Sequence, residues 1–364
     1  MLVSNSRSMS GAPRLVRVFT PSFADASNTN AQNLTVKEVV ARLDPEHFHV
    51  TMLHLGEGDP RIVGRRNTTL WRWRKHGNSA GILLRLLASI PDVYFFPREG
   101  PLEVGFYRLR RAMRWKTGVV TYMVSGGLDR AGLRPGQLRN LREAHSVYGN
   151  CSYLTRLLSE RCGFNAETIY DGVDRRYYFP RGWQQENQQE GLTALFAGSF
   201  RAYKRVDWVV KQAARSPHIK FRLAGCGETE EHCQRLASDL QCSNVRFLGH
   251  LSQSDLGNEM RGADLFLFPS ELEGHPQVLL QAAACGLPVL AMDSYRPDAV
   301  VDGKTGFLAA DEQDFEQKFD LLAGDPTLRA RMSKASIEHS AQFDWGRVTA
   351  QWAQAFNRAA GERA

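Results

Sequence analysis

A carboxylate and a glycine stand directly before an apolar segment in the second half of the chain. Glu273 and Gly274 precede Pro276, and the uncharged run Val278–Cys285 follows. A run of this length without charge predicts a buried helix, and Gly286 is suited to end it. The backbone N–H groups at the start of such a helix favour an anion. A carboxylate beside an anion site suits a ligand with both phosphate and hydroxyl groups, such as a sugar nucleotide.

Two apolar segments flank this helix and must position it. Asp264–Phe268 predicts a buried strand before the helix, and Pro288–Met292 predicts a second strand after it. Strand, loop, helix and strand form one βαβ unit of a parallel sheet. Ligands of such sheets bind at the loops that follow the strands, where Glu273 lies.

The stretch Glu273–Ala291 resembles a motif of one enzyme family. It is similar to the E-x7-E region of the retaining glycosyltransferases of the GT-B fold, the large family 4 class, also called glycosyl transferases group 1. Glu273 takes the place of the first glutamate, and Gln281 stands where the family has the second. The resemblance implies that Glu273 orients the hydroxyls of the donor sugar. It also implies that Gln281 contacts the nucleotide ribose, with an amide in place of the family's carboxylate.

Other segments support the resemblance over nearly the whole chain. Tyr170–Asp174 resembles the family's Asn-Gly-Val-Asp turn, with Asp171 in place of asparagine. Leu223–Gly227 and Val245–Gly249 match the next strand ends of the second domain. Phe343–Trp345 resembles the Phe-Ser-Trp that opens the last helix, which in the family crosses back onto the first domain.

The segment Ala197–Lys204 resembles the family's phosphate-binding turn. Lys204 falls on the family lysine that binds the donor diphosphate, whereas the family arginine falls on Ser199. Either Arg201 or Arg205 could supply the missing cation, and the sequence does not decide between them. Gly198 is expected to let the backbone approach the phosphate closely.

These positions make up a predicted donor site. Lys204 and Glu273 are the predicted catalytic residues, and His275 is expected to shape the loop. The predicted donor-binding residues are Gly198, Ser199, Arg201, Arg205, Gly274, His275, Pro276, Gln277, Val278 and Gln281.

The first half of the chain matches the family less well. The loop Ser27–Gln32 lacks the glycine pair that often precedes the family's first helix, and Thr121–Met123 stands where Thr-Val-His is common. Acceptors bind mainly in this half in the resembled family. Asp25 and Asn30, at the end of the first predicted strand, are therefore candidate acceptor-side contacts, and the acceptor's identity stays open.

Alternating strand and helix patterns predict two doubly wound, Rossmann-like domains that face a cleft, the GT-B architecture. Residues 1–13 are expected to be a disordered lead, and residues 14–180 an acceptor-binding domain. The Gln-rich residues 181–191 form a predicted linker. Residues 192–344 form the predicted nucleotide-sugar domain, and residues 345–364 the crossing helix.

Charge is divided unevenly along the chain. Residues 1–180 hold 26 Lys and Arg against 15 Asp and Glu, although the whole chain carries a net charge of only +7. The excess lies mainly in Arg61–Lys75, where Trp71 and Trp73 are interleaved, and in Arg108–Lys116. Such surfaces suit anionic lipid headgroups, and a solvated charged face is the alternative.

Composition sets further bounds. An apolar content of 43% in 364 residues is typical of a globular chain with two domains. The N-terminus shows no apolar signal-peptide core, and the longest apolar runs are too short to span a bilayer. Six scattered cysteines without C-x-x-C spacing predict reduced thiols, a cytoplasmic location and no metal site.

The sequence therefore predicts a metal-independent retaining glycosyltransferase that moves a hexose from a nucleotide sugar. The expected acceptor is a polysaccharide, lipopolysaccharide or glycolipid, and no cofactor is expected. Within the same fold, a sugar-nucleotide epimerase is an alternative, while a phosphorylase would need a pyridoxal cofactor for which no motif is visible. A dinucleotide-dependent oxidoreductase is disfavoured because neither half opens with G-x-G-x-x-G. A nucleic-acid-binding protein would explain the pI of 9.2, but no binding motif accompanies the charge.

Overall fold

The computed structural model describes residues 15–27, 31–74, 79–124, 132–181 and 191–361. The predicted lead 1–13, Asn30, Lys75 and most of the predicted linker 181–191 lie outside these ranges. Within them the chain forms two α/β series, each built around its own sheet.

The first series contains a seven-stranded sheet with the order β3-β2-β1-β4-β5-β6-β7. Its elements are β1 Val16–Phe23, α1 Ala31–Arg42, β2 Phe48–His54, α2 Pro60–Val63, β3 Thr68–Arg72, α3 Ser79–Ala88, β4 Val93–Phe95, α4 Pro101–Ala112, β5 Gly118–Met123, α5 Pro135–Glu143, β6 Ser146–Gly149, α6 Ser152–Cys162 and β7 Ala166–Thr168.

The second series contains a six-stranded parallel sheet with the order β10-β9-β8-β11-β12-β13. Its elements are β8 Thr193–Ala197, α7 Val206–Arg215, β9 Lys220–Ala224, α8 Glu230–Asp239, β10 Val245–Gly249, α9 Gln253–Arg261, β11 Leu265–Phe268, α10 Gln277–Ala284, β12 Val289–Met292, β13 Gly306–Ala309, α11 Glu312–Gly324, α12 Pro326–Ser340 and α13 Trp345–Gly361.

The central strands are apolar along their whole length. Every residue of β8, β11 and β12 is buried, and none of them is charged. Continuous apolar strands are typical of parallel sheets that helices cover on both faces. Since parallel strands end at the same edge, the loops after β8 and β11 are brought together: β11 pairs directly with β8.

Most predicted elements of the donor half are confirmed. The strand predicted at Asp264–Phe268 is β11, the strand predicted at Pro288–Met292 is β12, and the predicted helix is α10, one residue earlier than expected. Two strands were not predicted: β3, which lies inside the basic segment, and β13. The basic segment Arg108–Lys116 is only partly helical, because α4 ends at Ala112.

The chain divides into two compact units. One holds the described residues of 1–122, 133–147 and 349–364, and the other holds the described residues of 123–132 and 148–348. This division differs from the predicted domain boundary at residue 180. Val173 and Tyr178 explain the difference, because both are buried in the core built around β8 and β11.

The last helix supplies aromatic side chains to the first unit. Trp352 is fully buried, with its ring centroid 4.9 Å from those of Phe95 and Tyr122. Phe356 lies 4.9 Å from Phe95. The helix backbone comes so close to β5 that a Cβ at Gly118 would lie 2.3 Å from the carbonyl oxygen of Ala359.

Candidate functional site

Lys204 and Glu273 form an ion pair in the second unit. Lys204 ends the short 3-10 turn Ala202–Lys204 after β8, and Glu273 lies in the loop between β11 and α10. The Lys204 Nζ donates to Glu273 Oε1, and the two side chains are only 11% and 13% exposed. The predicted catalytic carboxylate and cation are thus brought into contact, as the adjacency of β8 and β11 requires.

Neighbouring polar groups fix the loop that carries Glu273. Ser270 Oγ donates to Glu273 Oε1 over 2.6 Å, and Glu271 N donates to the carbonyl oxygen of Tyr203 over 2.8 Å. Ser294 Oγ donates to the carbonyl oxygen of Glu271 over 2.9 Å. Because the loop is bonded to the turn before Lys204 and to the turn after β12, the position of Glu273 does not depend on Lys204 alone.

Aromatic rings surround the Lys204 ammonium. Its Nζ lies 4.8 Å from the ring centroid of Phe268 and 5.5 Å from that of Tyr203. Ring faces attract a cation and keep water away from it. A charge held in such surroundings interacts strongly with any anion that reaches it, because the effective dielectric constant is low.

The structure separates the two arginines between which the sequence did not decide. Arg205 is paired with two carboxylates: its Nη1 donates to Glu271 Oε1 over 2.6 Å, and its Nη2 donates to Asp207 Oδ2 over 3.3 Å. Its guanidinium also lies 4.2 Å from the ring centroid of Trp208. Arg201 is exposed, and no ion pair involving it occurs among the described residues. Of the two arginines, Arg201 is therefore the one that is not already paired with a carboxylate among the described residues.

Helix α10 presents its N-terminus beside Glu273. Pro276 is its N-cap and makes no side-chain capping bond. Gln277 and Gln281 are four residues apart on the one polar face of a helix whose Leu279 and Leu280 are buried. The first N–H groups of the helix thus have no side-chain cap, and their use as an anion site stays a prediction.

The expected close approach of a phosphate at Gly198 stays a prediction, and the structure shows a close approach of two backbones at a neighbouring glycine. A Cβ at Gly198 would make only ordinary contacts, 3.4 Å or more from its neighbours, and Ser199 is exposed. The close approach occurs at Gly225, which has a φ of +130° and whose Cβ would lie 1.8 Å from the Gly198 carbonyl oxygen. Gly225 N donates to the carbonyl oxygen of Gly249 over 2.7 Å. The segment Leu223–Gly227, which the resemblance matched to a strand end, therefore contains the tightest of the described glycine positions.

His275, two residues after Glu273, packs on an aromatic ring. Its imidazole stacks on the ring of Tyr170 at 5.8 Å, with an interplanar angle of 26°. The residue as a whole is partly exposed, but the ring Nε2 is buried and has no hydrogen-bond partner. Burial lowers the pKa of His275, and the charges of Asp171 and Asp298 oppose that shift.

Tyr295 belongs to this region although the sequence analysis did not select it. Its hydroxyl is buried and has no hydrogen-bond partner. Burial raises the pKa of Tyr295, and the charge of Glu273 raises it further, so the two groups are near each other. The sequence could have indicated Tyr295 by its position directly after β12, because the loops after the parallel strands form the edge where Glu273 lies.

The acceptor-side candidate Asp25 lies in the first unit. Its carboxylate accepts hydrogen bonds from Leu55 N over 3.0 Å and from Gly56 N over 2.6 Å, and the residue is 4% exposed. These bonds hold the loop that follows β2. A contact between Asp25 and an acceptor stays a prediction, and Asn30 lies outside the described residues.

The family match found by comparison with known proteins lies within the second unit. Residues 182–339 match the family described as Glycosyl transferases group 1. The chain is 31% identical over 213 residues to the D-inositol 3-phosphate glycosyltransferase of Mycobacterium tuberculosis (strain ATCC 25618 / H37Rv). That match covers 54% of this chain and 44% of the relative, so the chain spans about half the length of the curated relatives it matches.

Solved structures resemble the fold over almost the whole chain. The sucrose-phosphate synthase of Thermosynechococcus elongatus has a TM-score of 0.74 at 16% identity, covering 95% of this chain and 99% of that one. Anabaena Alr3699/HepE in complex with UDP has a TM-score of 0.75 at 15% identity, covering 94% and 100%. The predicted fold class, a two-domain α/β fold of the GT-B type, is confirmed by this likeness and by the two sheets.

Proposed function

Because residues 182–339 match the family described as Glycosyl transferases group 1, we propose that this chain is a retaining glycosyltransferase of that family. It moves a hexose-type sugar from a nucleotide-sugar donor to a carbohydrate or lipid-linked acceptor. The observation that carries the proposal is the buried pair of Lys204 and Glu273 beside the uncapped start of α10. One edge of the sheet thus offers a cation and helix N–H groups for phosphate, and a carboxylate for sugar hydroxyls.

Donor binding exchanges the partners of this pair. The diphosphate takes the place of Glu273 as the anion that Lys204 contacts, and Arg201 and the N–H groups of α10 add further bonds. Glu273, still held by Ser270, then accepts hydrogen bonds from the hydroxyls of the sugar. The ion pair therefore keeps both groups charged and correctly placed until the donor arrives, which limits the reorganisation needed for reaction.

The chemistry needs no protein base at the acceptor. As the bond between the anomeric carbon and the phosphate breaks, negative charge grows on the departing diphosphate, where Lys204 and Arg201 stabilise it. The acceptor hydroxyl attacks from the face that the phosphate leaves, and a phosphate oxygen takes its proton. The new glycosidic bond then has the configuration of the donor.

A nucleotide-sugar screen tests the donor half of the proposal. We propose a uridine diphosphate sugar as the first candidate, because the similar HepE structure is a complex with UDP. Thermal-shift measurements with UDP-, GDP-, ADP- and dTDP-sugars should identify one nucleotide sugar that clearly raises the Tm. Arg201→Ala should reduce this rise in Tm more than the control Lys211→Ala does, which removes an exposed lysine elsewhere in the unit. Absence of stabilisation by every nucleotide sugar would contradict the proposal, and release of free sugar without an acceptor would favour an epimerase.

The leaving-group charge is assigned to protein groups alone, so Mg²⁺ or Mn²⁺ should not be required. We expect turnover in buffer free of both ions to stay within about twofold of turnover with either ion added. A divalent ion that raised turnover by tenfold or more would show that protein cations do not carry the charge.

The acceptor is proposed to lie at an anionic membrane surface. Arg108, Arg114 and Lys116 are exposed around the end of α4, and the neighbouring α3 exposes Leu84 (65%) and Leu87 (38%). Trp71 and Trp73, by contrast, pack on Phe19 and Phe23 with ring centroids 5.5 and 6.2 Å apart. The exposed apolar side chains near the basic residues are thus these leucines and Met113 (58%) rather than the predicted tryptophans. No described helix is long and apolar enough to cross a bilayer.

A further inference from the structure

Three side chains with metal-binding chemistry meet in the second unit. Cys151 begins α6, His275 lies in the loop before α10, and Asp298 lies between β12 and β13. Each residue offers one ligand atom, and the three atoms lie within 4.8 Å of one another: the Cys151 Sγ, a ring nitrogen of His275 and a carboxylate oxygen of Asp298. The sequence analysis predicted no metal site, because these residues are far apart along the chain and short-range spacing was its only signal.

The cluster is not explained by hydrogen bonds among its own members. No hydrogen bond joins any two of these three side chains in the described part of the chain, and the buried Nε2 of His275 has no partner. A buried ring nitrogen beside a thiol and a carboxylate normally finds one. A ring nitrogen without a protein partner is open to a ligand that the protein atoms do not supply.

Charge favours a cation at this place. Asp171 is 5% exposed, and its carboxylate acts electrostatically on both Cys151 and His275, as does that of Asp298. Both carboxylates and a metal-bound thiolate would carry negative charge around the imidazole. A divalent cation would balance them.

The ligand types select the metal. One sulfur, one nitrogen and one oxygen suit a borderline-soft ion such as Zn²⁺ and not Mg²⁺ or Ca²⁺, which prefer oxygen alone. In a tetrahedral site with bonds of about 2.0–2.3 Å, ligand atoms lie about 3.3–3.8 Å apart. The distances between the ligand atoms need to shorten by at most about 1–1.5 Å to reach that spacing.

Asp298 is already held in place by a neighbour. Ser152 N donates to its Oδ2 over 2.6 Å, and Ser152 Oγ donates to its Oδ1. Carboxylates that ligate metals are usually oriented by hydrogen bonds of this kind, which leave a lone pair free for the ion.

We propose that Cys151, His275 and Asp298 bind a zinc ion that fastens the loop carrying Glu273 to the start of α6 and to the loop after β12. The thiol releases its proton to solvent when the ion binds, and water fills the remaining position. His275 is two residues from Glu273, so the ion adds a second restraint to the loop that Lys204 contacts through Glu273. This site goes beyond the proposed transfer reaction and takes no part in its chemistry.

Cobalt serves as the probe, because Co²⁺ bound to a thiolate gives a charge-transfer absorption band that Zn²⁺ does not. The reduced, metal-stripped full chain is titrated with Co²⁺ and then with Zn²⁺, without donor or acceptor. We expect one equivalent of Co²⁺ to give the thiolate band and Zn²⁺ to abolish it. Because no sugar nucleotide is present, the result is independent of the transferase proposal.

Variants assign the ligands. Cys151→Ser should abolish the band, and His275→Ala should weaken Co²⁺ binding by at least about 100-fold. Ser152→Ala, which removes only one of the bonds to Asp298, should weaken it by about 10–100-fold. Cys285→Ser is the matched control, because Cys285 is another buried thiol of the same unit. It should leave the band unchanged.

A measurement of Tm distinguishes the loss of a metal ligand from misfolding of the variant. Zn²⁺ should raise the Tm of the wild type and of Cys285→Ser but not that of Cys151→Ser. Absence of a thiolate band in the wild type would overturn the proposal without reference to any variant. A band of equal strength in a folded Cys151→Ser protein would overturn it as well.

Discussion

The Lys204–Glu273 pair stabilises two nearly buried charges, but the proposed donor binding requires the pair to separate. Both side chains are nearly buried, so each needs the other to offset the cost of leaving water. Donor binding nevertheless requires that the pair exchange partners. Removing one member would leave the other charge buried and unpaired, and loss of activity in a single variant would not distinguish a catalytic role from a structural one.

A variant that removes both charges resolves this ambiguity. Lys204→Ala and Glu273→Ala should each lower the free energy of unfolding by about 3–5 kcal/mol. The double variant Lys204→Met/Glu273→Gln leaves no unpaired charge and should recover most of that stability. Its transfer rate should stay at least about 100-fold below wild type, since loss of one transition-state contact costs about 2.7–4 kcal/mol. Denaturant unfolding and initial rates measure the two effects.

The control is an exposed pair of the same chemistry. Lys211 Nζ lies 2.9 Å from Glu312 Oε1, and these side chains are 45% and 36% exposed. Lys211→Met/Glu312→Gln should change stability by no more than about 1 kcal/mol and leave turnover unchanged. Normal turnover in a folded Lys204→Met/Glu273→Gln protein would show that the pair is structural only.

At the scale of elements, the strand edge after β8, β9 and β11 decides where the functional residues lie. The carbonyl oxygen of Gly198 packs against Gly225, so the turn that leads to Lys204 rests on the end of β9. No side chain fits between these two backbones. The phosphate turn therefore depends on a glycine in the neighbouring loop.

Gly225→Ala should accordingly be much more harmful than an ordinary glycine replacement. The backbone strain and the overlap with the Gly198 carbonyl oxygen together should cost about 2–4 kcal/mol and should weaken nucleotide-sugar binding. Gly303→Ala is the control, because Gly303 also has a positive φ, +71°, but has open space around it. It should cost about 1–2 kcal/mol and leave binding intact. Equal effects of the two substitutions on donor affinity would contradict the role assigned to Gly225.

The sequence was most informative where strands are uniformly apolar. The strand predicted at Asp264–Phe268 matches β11 to within one residue, because a continuous buried apolar run is typical of a parallel sheet. The strand β3 was missed because Arg72 and partly exposed residues interrupt its pattern at the edge of the sheet. The Lys204–Glu273 contact followed from a resemblance, whereas the cluster at Cys151 depends on three loops that no local pattern connects.

For the whole molecule, the uneven distribution of charge has a functional meaning if the acceptor is membrane-linked. The exposed residues Arg108, Arg114 and Lys116 lie in the first unit, and the donor pair lies in the second. An attraction of this kind is screened over about 8–10 Å at ordinary ionic strength. Binding should therefore be reversible by salt.

Charge reversal of this face should release the protein from anionic vesicles. Each basic residue near such a surface contributes about 1 kcal/mol, so Arg108→Glu/Arg114→Glu/Lys116→Glu should weaken binding by at least about 100-fold. The matched control is Arg246→Glu/Arg331→Glu/Lys334→Glu, which reverses three exposed charges of the second unit. Co-sedimentation with neutral and anionic liposomes is the measurement. Equal binding to both kinds of vesicle, or equal loss in the two variants, would assign these residues to a merely solvated surface.

The burial of Trp352 and Phe356 in the first unit also governs the order in which the chain can fold during synthesis. The strands that these rings cover are made early, but the rings themselves belong to α13, at the far end of the polypeptide. At about 5–20 residues per second, the roughly 240 residues between Tyr122 and Gly361 take about 12–48 s to translate. Throughout that interval the first sheet leaves the ribosome with Phe95 and Tyr122 uncovered, while the second unit gains its whole core. The unit whose strands are translated first is thus the last to be completed.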